Sequence, residues 1–192
     1  MGESMSEKPV AAGKSSLDLV DSDLVFNEVI ADPGGTYLDL ACGVGRYTVE
    51  LAGQLNADAT VHAFDLWEEG IAELTRYAKQ HGLKSIKTKL VDITAQLPLP
   101  DSSVDVSFLA TALHDLPKST RSGVVEEISR ILSPGAIFVL IEFKKIDYGP
   151  GPGIDERIGE SDADELILPH GFAKKNVVDL GEFTYLIKYL KK

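Results

Sequence analysis

The stretch Tyr37-Leu-Asp-Leu-Ala-Cys-Gly-Val-Gly-Arg46 runs from a short apolar segment with one carboxylate into two glycines one residue apart, and an amphipathic set, Tyr47, Val49, Leu51 and Leu55, follows at once. That order reads as strand, tight turn and helix. Without Cβ atoms, Gly43 and Gly45 permit positive φ and a close approach of backbone to a ligand, while the helix aims its unpaired N–H groups into the same space. A small molecule with a carboxylate or similar group fits such a turn.

Outward from this turn the chain alternates. Strand patterns fall at residues 36–40, 60–64, 86–91, 104–110 and 136–143, and segments of 3.6-residue period separate most of them. This is a βαβ series and predicts an α/β fold, a parallel sheet with helices on both faces. Residues 68–81 read as a helix with Ile71, Leu74 and Ala78 on one side and Gly82 as its stop. Residues 119–132 read as another, with Val124, Val125, Ile128, Ile131 and Leu132 inward and Ser133-Pro-Gly135 ending it. Ser161-x-x-Asp164 has the form of a capping box opening a helix that ends near Gly171. Gly181-Glu182 separates strand patterns at 177–180 and 183–190, so a two-residue hairpin should turn the last strand antiparallel to its predecessor. Ahead of the series, Leu17, Val20, Leu24, Val25 and Val29 have helical spacing from Ser16, with serine available as the cap. Residues 1–14 are polar and without period and are expected to be disordered, which leaves 15–192 as one domain.

Composition agrees with one domain: the chain has 192 residues, 44% of them hydrophobic, enough for one packed core and short for two. A formal net charge of -11 opposes binding to nucleic acid or to anionic lipid, since the summed field repels both. The single cysteine, Cys42, excludes an internal disulfide and any multi-cysteine metal site and fits a reducing compartment. No secretory leader or integral membrane segment is read in the sequence, and the expected location is cytoplasmic.

Leu38-Asp-Leu-Ala41 followed by Gly43-x-Gly45 resembles motif I of the class I S-adenosylmethionine-dependent methyltransferases, most closely the type 11 group around ubiquinone and menaquinone biosynthesis. The resemblance can be followed to about residue 145. It implies a Rossmann-like, mostly parallel seven-stranded sheet finished by an antiparallel hairpin, S-adenosylmethionine as cofactor and a small-molecule methyl acceptor. It also implies that the backbone from Ala41 through Gly43 and Val44 to Gly45 holds the cofactor, with Asp39 orienting the turn toward the methionine amino end. Asp65, with Leu66 beside it, takes the ribose position; Asp92 approaches the adenine amino group and Ile93 packs on the ring; Ala110 lies beside the methionine moiety.

Position alone supports part of this assignment, because ligands of open α/β sheets sit beyond the carboxyl ends of the strands at the topological switch point. Asp65 and Asp92 both end strands. A carboxylate at Asp65 accepts ribose hydroxyls in charge-assisted hydrogen bonds, with a helix cap as the alternative role. Asp92 has the alternative of an ordinary turn aspartate. A buried Asp39 needs a donor partner.

In the loop Ala110-Thr-Ala-Leu-His-Asp-Leu-Pro117, His114 is a candidate general base and Asp115 a second candidate. Methyl transfer also proceeds without a base, since a sulfonium is an activated donor and alignment supplies much of the acceleration. Cys42 reads as a small neighbour of the turn. The loop lacks the Asn/Asp-Pro-Pro-aromatic run of base-amine methyltransferases and the Pro-Cys nucleophile of cytosine-carbon enzymes, and a single cysteine excludes arsenite methylation. His114-Asp115 stands where the quinone branch carries arginine-asparagine, which points away from a quinone precursor. The connection 144–161 is short for a lid, so the site is expected to be either shallow or completed by the amino-terminal helix or a second subunit of a homodimer. Two other readings stay open: a nicotinamide-dependent oxidoreductase, for which Thr48 replaces the third glycine, and a non-catalytic module that binds S-adenosylmethionine.

Overall fold

The computed structural model describes residues 13–30 and 35–192. The stretch expected to be disordered therefore lies outside the described residues, apart from Gly13 and Lys14. Seven strands, β1 (Thr36–Leu40), β2 (Thr60–Asp65), β3 (Ile86–Leu90), β4 (Val104–Ala110), β5 (Leu132–Phe143), β6 (Phe172–Asp179) and β7 (Thr184–Lys191), form one sheet in the order β3-β2-β1-β4-β5-β7-β6. The first five pair in parallel, and β7 runs antiparallel to both β5 and β6. The predicted Rossmann-like sheet with an antiparallel end is the observed one.

Strand alternation divides the core in two. Leu38, Leu40, Leu109, Phe138 and Leu140 face α4 (Arg121–Ile131) and α5 (Glu160–Ile167), whereas Tyr37, Val106, Phe108, Ile137 and Val139 face α1 (Ser22–Ile30) and α2 (Arg46–Gln54). Both faces of the parallel strands are thus buried, as helical crossovers require. Helix α3 (Glu68–Gln80) covers β2 and β3 through Leu74 and Ala78, with Ile71 half-buried, and Gly82 at φ 67° follows its end.

Several local expectations change. The amino-terminal helix is broken: a 3-10 turn at Ser16–Leu19 precedes α1, because Asp21 donates its N–H to the Leu180 carbonyl and caps Leu24 with its side chain. Leu24 is exposed in consequence, and Phe26 joins Val25 and Val29 in the core. Ser15 supplies the cap, accepting from the Leu17 N–H. Helix α4 begins at Arg121, and Ser133, Pro134 and Gly135 lie within the register break between the pairs Val104–Leu132 and Val106–Ile137. The box at the start of α5 sits two residues earlier than expected, with Asp162 accepting from the Gly159 N–H, while Asp164 binds Tyr189 and Lys174. The last hairpin turns over residues 180–183 because Leu180 is drawn into the core beneath the amino-terminal segment.

Arg157, 5% exposed, organises the Gly/Pro-rich connection after β5. Its guanidinium donates to the carbonyls of Lys144 (3.0 Å), Tyr148 (3.3 Å), Pro150 (2.9 Å) and Pro152 (3.0 Å) and lies over the Phe143 ring at 5.8 Å. A planar five-donor fork can serve so many acceptors at once; an ammonium cannot. Arg157→Ala is therefore expected to lower the urea-unfolding free energy by about 2–3 kcal/mol, with Arg157→Lys recovering little of it. Equal stability of all three proteins would show that the clamp carries no net stabilisation.

Candidate active site

The turn between β1 and α2 lies at the switch point, where β1 has β2 on one side and β4 on the other. Three of its residues adopt positive φ: Ala41 (57°), Gly43 (57°) and Gly45 (78°). Ala41 does so with a side chain, a strained conformation of the kind that collects at functional sites. The glycines differ in what they provide. A Cβ on Gly45 would strike the Leu74 side chain, so that glycine lets α3 pack against the turn, whereas a Cβ on Gly43 would meet nothing within 4 Å. Gly43 therefore offers bare backbone on an open side. Across the turn, Gly70 of α3 has no room for a side chain, since its Cβ would come within 2.8 Å of the Gly43 carbonyl oxygen.

Two carboxylates stand behind this backbone. Asp65, at the end of β2 and 9% exposed, accepts from the N–H groups of Gly43 and Trp67, each at 2.7 Å. These two bonds use about half of the roughly four lone-pair positions of a carboxylate. Trp67, not Asp65, is the capping residue of α3, and Asp65 reaches the helix start only through the Trp67 N–H, which leaves it room for an acceptor role toward a ligand. Asp39 projects from β1 toward α2, where the Thr48 hydroxyl and backbone N–H are its donors. Burial pushes the Asp39 carboxyl up to about 8; the Thr48 hydroxyl opposes the shift and the Asp65 charge adds to it. Burial, with Asp39 and Asp65 nearby, also holds the half-buried Cys42 thiol well above its ordinary value, so it is a poor nucleophile.

At the ends of the neighbouring strands, Leu66 is 55% exposed and Ile93 is buried. Asp92 is exposed, and its Oδ1 accepts from the Thr94 N–H (2.9 Å) and hydroxyl (2.7 Å), the turn role considered for it. Val44 is half-buried between the two glycines. On the other side of the switch point, Ala110 ends β4 and pairs with Ile141, and Thr111 takes a positive φ of 49°. Beyond it, His114 turns inward with only 6% of its side chain exposed, Nδ1 lying 2.7 Å from Oε2 of Glu142. Asp115 Oδ1 is 3.5 Å from His114 Nε2. Burial draws the His114 pKa down, but the hydrogen bond and charge of Glu142, helped by Asp115, outweigh it and the net shift is upward from 6.5.

Glu142 escaped the reading of the sequence. It is an acid near the end of an apolar strand, the same signal that singled out Asp65, but the long run of β5 made it look like core. The amino-terminal segment also reaches this end of the sheet. Ser16 is buried, its Oγ 3.0 Å from the Tyr47 hydroxyl and accepting from Thr111 Oγ1 at 2.8 Å, and Asp18 pairs with both terminal nitrogens of Arg46. Residues 16–19 thereby bridge the start of α2 and the loop after β4. A separate groove lined by Thr75, Ala78, Gly82, Leu83, Ile86 and Thr88 runs along α3 and the edge strand β3 and contains none of the candidate residues.

A family profile described as a methyltransferase domain matches residues 31–170. Among curated proteins, the chain is 30% identical to a sterol 24-C-methyltransferase, ERG6B, of Gibberella zeae over 73% of this chain and 38% of that one. It is 29% identical to a demethylmenaquinone methyltransferase of Geobacillus stearothermophilus over 62% of this chain and 49% of the other. The chain thus spans half or less of the length of these relatives. Among solved structures, an S-adenosylmethionine-dependent methyltransferase from Aquifex aeolicus superposes with a TM-score of 0.83 at 27% identity over 93% of both chains. The [4+2]-cyclase SpnF shares the fold, with a TM-score of 0.76 at 19% identity over 88% of this chain and 79% of that one.

The Asp39 shift has a stability consequence. With a folded pKa near 8 against 3.8 for the free side chain, unfolding releases a proton between these values. Stability from this group is therefore full below the lower value and is lost as pH rises through the upper one. Asp39→Asn should gain stability relative to the parent between about pH 5 and about pH 8.5 in urea unfolding. Parallel pH profiles for the two proteins would contradict a raised Asp39 pKa.

Proposed function

The chain belongs to the methyltransferase-domain family, and on that premise we propose that it transfers the methyl group of S-adenosylmethionine to a small-molecule acceptor. The observation that carries the reading is the Asp65 carboxylate bound to the backbone of one open glycine turn, with the buried Asp39 carboxyl close behind it. The Asp65 carboxylate favours a ligand with cationic sulfonium and ammonium groups and disfavours the pyrophosphate of a dinucleotide, while Asp39, held protonated by its burial, adds no charge against a cation. That electrostatic preference weighs against the nicotinamide-dependent alternative.

The residues fit the cofactor in kind. Backbone at Ala41, Gly43, Val44 and Gly45 offers a surface without side-chain obstruction at Gly43. Asp65 retains lone pairs for two ribose hydroxyls, and Asp92 retains Oδ2 for the adenine amino group. Leu66 and Ile93 supply apolar surface for the ring, and Ala110 supplies backbone near the methionine end. When bound, the cofactor supplies a methyl group already activated on a sulfonium. The protein's task is to hold the acceptor in line with the methyl group and to exclude water. Residues 16–19 serve as cover for that site, with a second subunit as the alternative cover. In this reading His114, with Asp115 next to it, takes up a proton where the acceptor has one to lose.

The single Cys42 is consistent with a cytoplasmic setting, and among the described residues no helix is long and apolar enough to cross a membrane. A non-catalytic binder of the same cofactor would share everything but turnover, so release of S-adenosylhomocysteine in an acceptor screen separates the two.

Calorimetric titration with S-adenosylmethionine, S-adenosylhomocysteine and NAD tests the reading. The first two should saturate and NAD should not. Asp65→Ala should weaken S-adenosylmethionine binding by about 1.5–3 kcal/mol, the cost of losing charged hydrogen bonds. Binding of NAD alone would reverse the assignment of the turn, and unaltered affinity in a folded Asp65→Ala protein would remove Asp65 from the site.

A further inference from the structure

Glu142 is fully buried at the carboxyl end of β5. Its Oε1 accepts from the His114 backbone N–H at 3.1 Å, and its Oε2 accepts from the Phe143 N–H at 3.3 Å. A carboxylate that accepts backbone N–H bonds on both oxygens acts as the acceptor in its third contact as well, the 2.7 Å approach of His114 Nδ1 to Oε2. Nδ1 therefore carries the hydrogen, and in the neutral ring the lone pair lies on Nε2, whose neighbour at 3.5 Å is Asp115 Oδ1, beyond hydrogen-bond length but close enough to stabilise a proton taken up there. The ring is held in this pose from several directions. Phe143 meets it edge-on at 5.6 Å between centroids, and Arg121 of α4 donates to the carbonyls of His114 (2.8 Å) and Leu116 (3.1 Å).

We propose that Glu142 is a positioning residue that fixes the Nδ1–H form of His114, leaving Nε2 to take the proton of a hydroxyl on an acceptor that enters the site neutral. The proposal rests on the methyltransferase reading above and names the acceptor class for that same site.

The class follows from the charges around the ring and from proton chemistry. Glu142 from β5 and Asp115 from the ring's own loop face it with negative charge, and Arg121 from α4 works in the opposite direction. Two acids to one cation favour a ring that becomes positive, and they repel an acceptor that arrives already ionised. A thiol, with a pKa about 8.5, supplies a few per cent of a strongly nucleophilic thiolate at neutral pH without a base; a phenolic hydroxyl, at about 10, supplies far less anion and gains most from a base. An amine attacks through its free lone pair and sheds its proton afterwards. In the step itself His114 Nε2 binds the hydroxyl proton as the oxygen bonds to the methyl carbon. The carbon–sulfur bond breaks with its electron pair going to sulfur, the proton stays on Nε2 until it is lost to water, and the Glu142 carboxylate at Nδ1 balances the charge of the imidazolium meanwhile.

Two measurements test this, both on the full chain. The first needs no variant: 15N NMR of the histidine rings should show His114 with a protonated Nδ1 and a bare Nε2 at a pH above its titration, and an Nε2–H signature would overturn the proposal. The second is S-adenosylhomocysteine release with phenol, catechol, thiophenol and aniline as probes. Turnover should be confined to the hydroxyl compounds, with a kcat that rises with pH through a midpoint above 6.5, the ordinary value for histidine. Glu142→Gln should lower kcat on the order of tenfold or more and move that midpoint down, leaving the KM for S-adenosylmethionine unchanged. Adding His114→Asn should cost little further, because the two side chains act as one unit. A Glu142→Gln protein with the parental kcat and pH profile would overturn the positioning role. Methylation of thiophenol or aniline alone, or of no hydroxyl probe by a protein that binds S-adenosylmethionine, would overturn the acceptor class. Failure to bind S-adenosylmethionine would overturn the methyltransferase reading instead, while the tautomer would stand or fall on the NMR spectrum.

Discussion

The parallel pairing of β1 with β2 on one side and β4 on the other is the constraint from which the candidate site follows. Chain that leaves β1 crosses one face of the sheet through α2, and chain that leaves β4 crosses the opposite face through α4. The two loops diverge, and a crevice opens at the carboxyl ends of adjacent strands. The turn 41–45 forms one wall and residues 110–116 the other. Backbone geometry sharpens the crevice at two places: Gly43 is bare, and Ala41 and Thr111 hold positive φ despite their side chains. Such conformations persist only where surrounding structure over-determines them, here through the Cys42-to-Phe64 and Thr111-to-Ile141 hydrogen bonds of the flanking strands.

Three acids, Asp39, Asp65 and Glu142, are buried at or near this end of the sheet, and they are satisfied chiefly by backbone N–H and hydroxyl donors rather than by lysine or arginine. No permanent counter-charge is paired with an acid held this way, so burial either keeps it protonated or leaves its field directed at its neighbours. For Asp39 the result is a carboxyl that retains its proton near neutrality; for Glu142 it is a field directed at an imidazole. The cationic side chain nearest the turn, Arg46, is instead engaged by Asp18 of the amino-terminal segment. That ion pair is exposed and adds little stability, but together with Ser16, Tyr47 and Thr111 it sets where residues 16–19 lie.

The repeating frame of the fold was legible because its signals are local. Two glycines after an apolar strand, alternation of periods 2 and 3.6, and a glycine before the last strand each express a backbone requirement met within a few residues. The same holds for Asp65, which ends β2, and for Asp92, which lies two residues past the end of β3, so that both stand at the carboxyl edge of the open sheet. The signals failed where distant contacts intervene. Helical spacing from Ser16 to Val29 gave no sign that Asp21 would bond to Leu180 and break the helix, and the apolar character of β5 concealed Glu142.

What the sequence by itself determined, then, is the order of elements, the glycine turn and the acids at the end of β2 and just past β3, since these depend on φ preference, hydrophobic period and position in the chain. Only the tertiary structure decided that Asp39 is raised by burial against Thr48, that His114 faces Glu142, and that Arg157 gathers the carbonyls of the connection after β5. These depend on desolvation and on hydrogen bonds between residues far apart in sequence. Both arise when separate strands and loops are brought to the same end of one sheet, and no local pattern of residues encodes either.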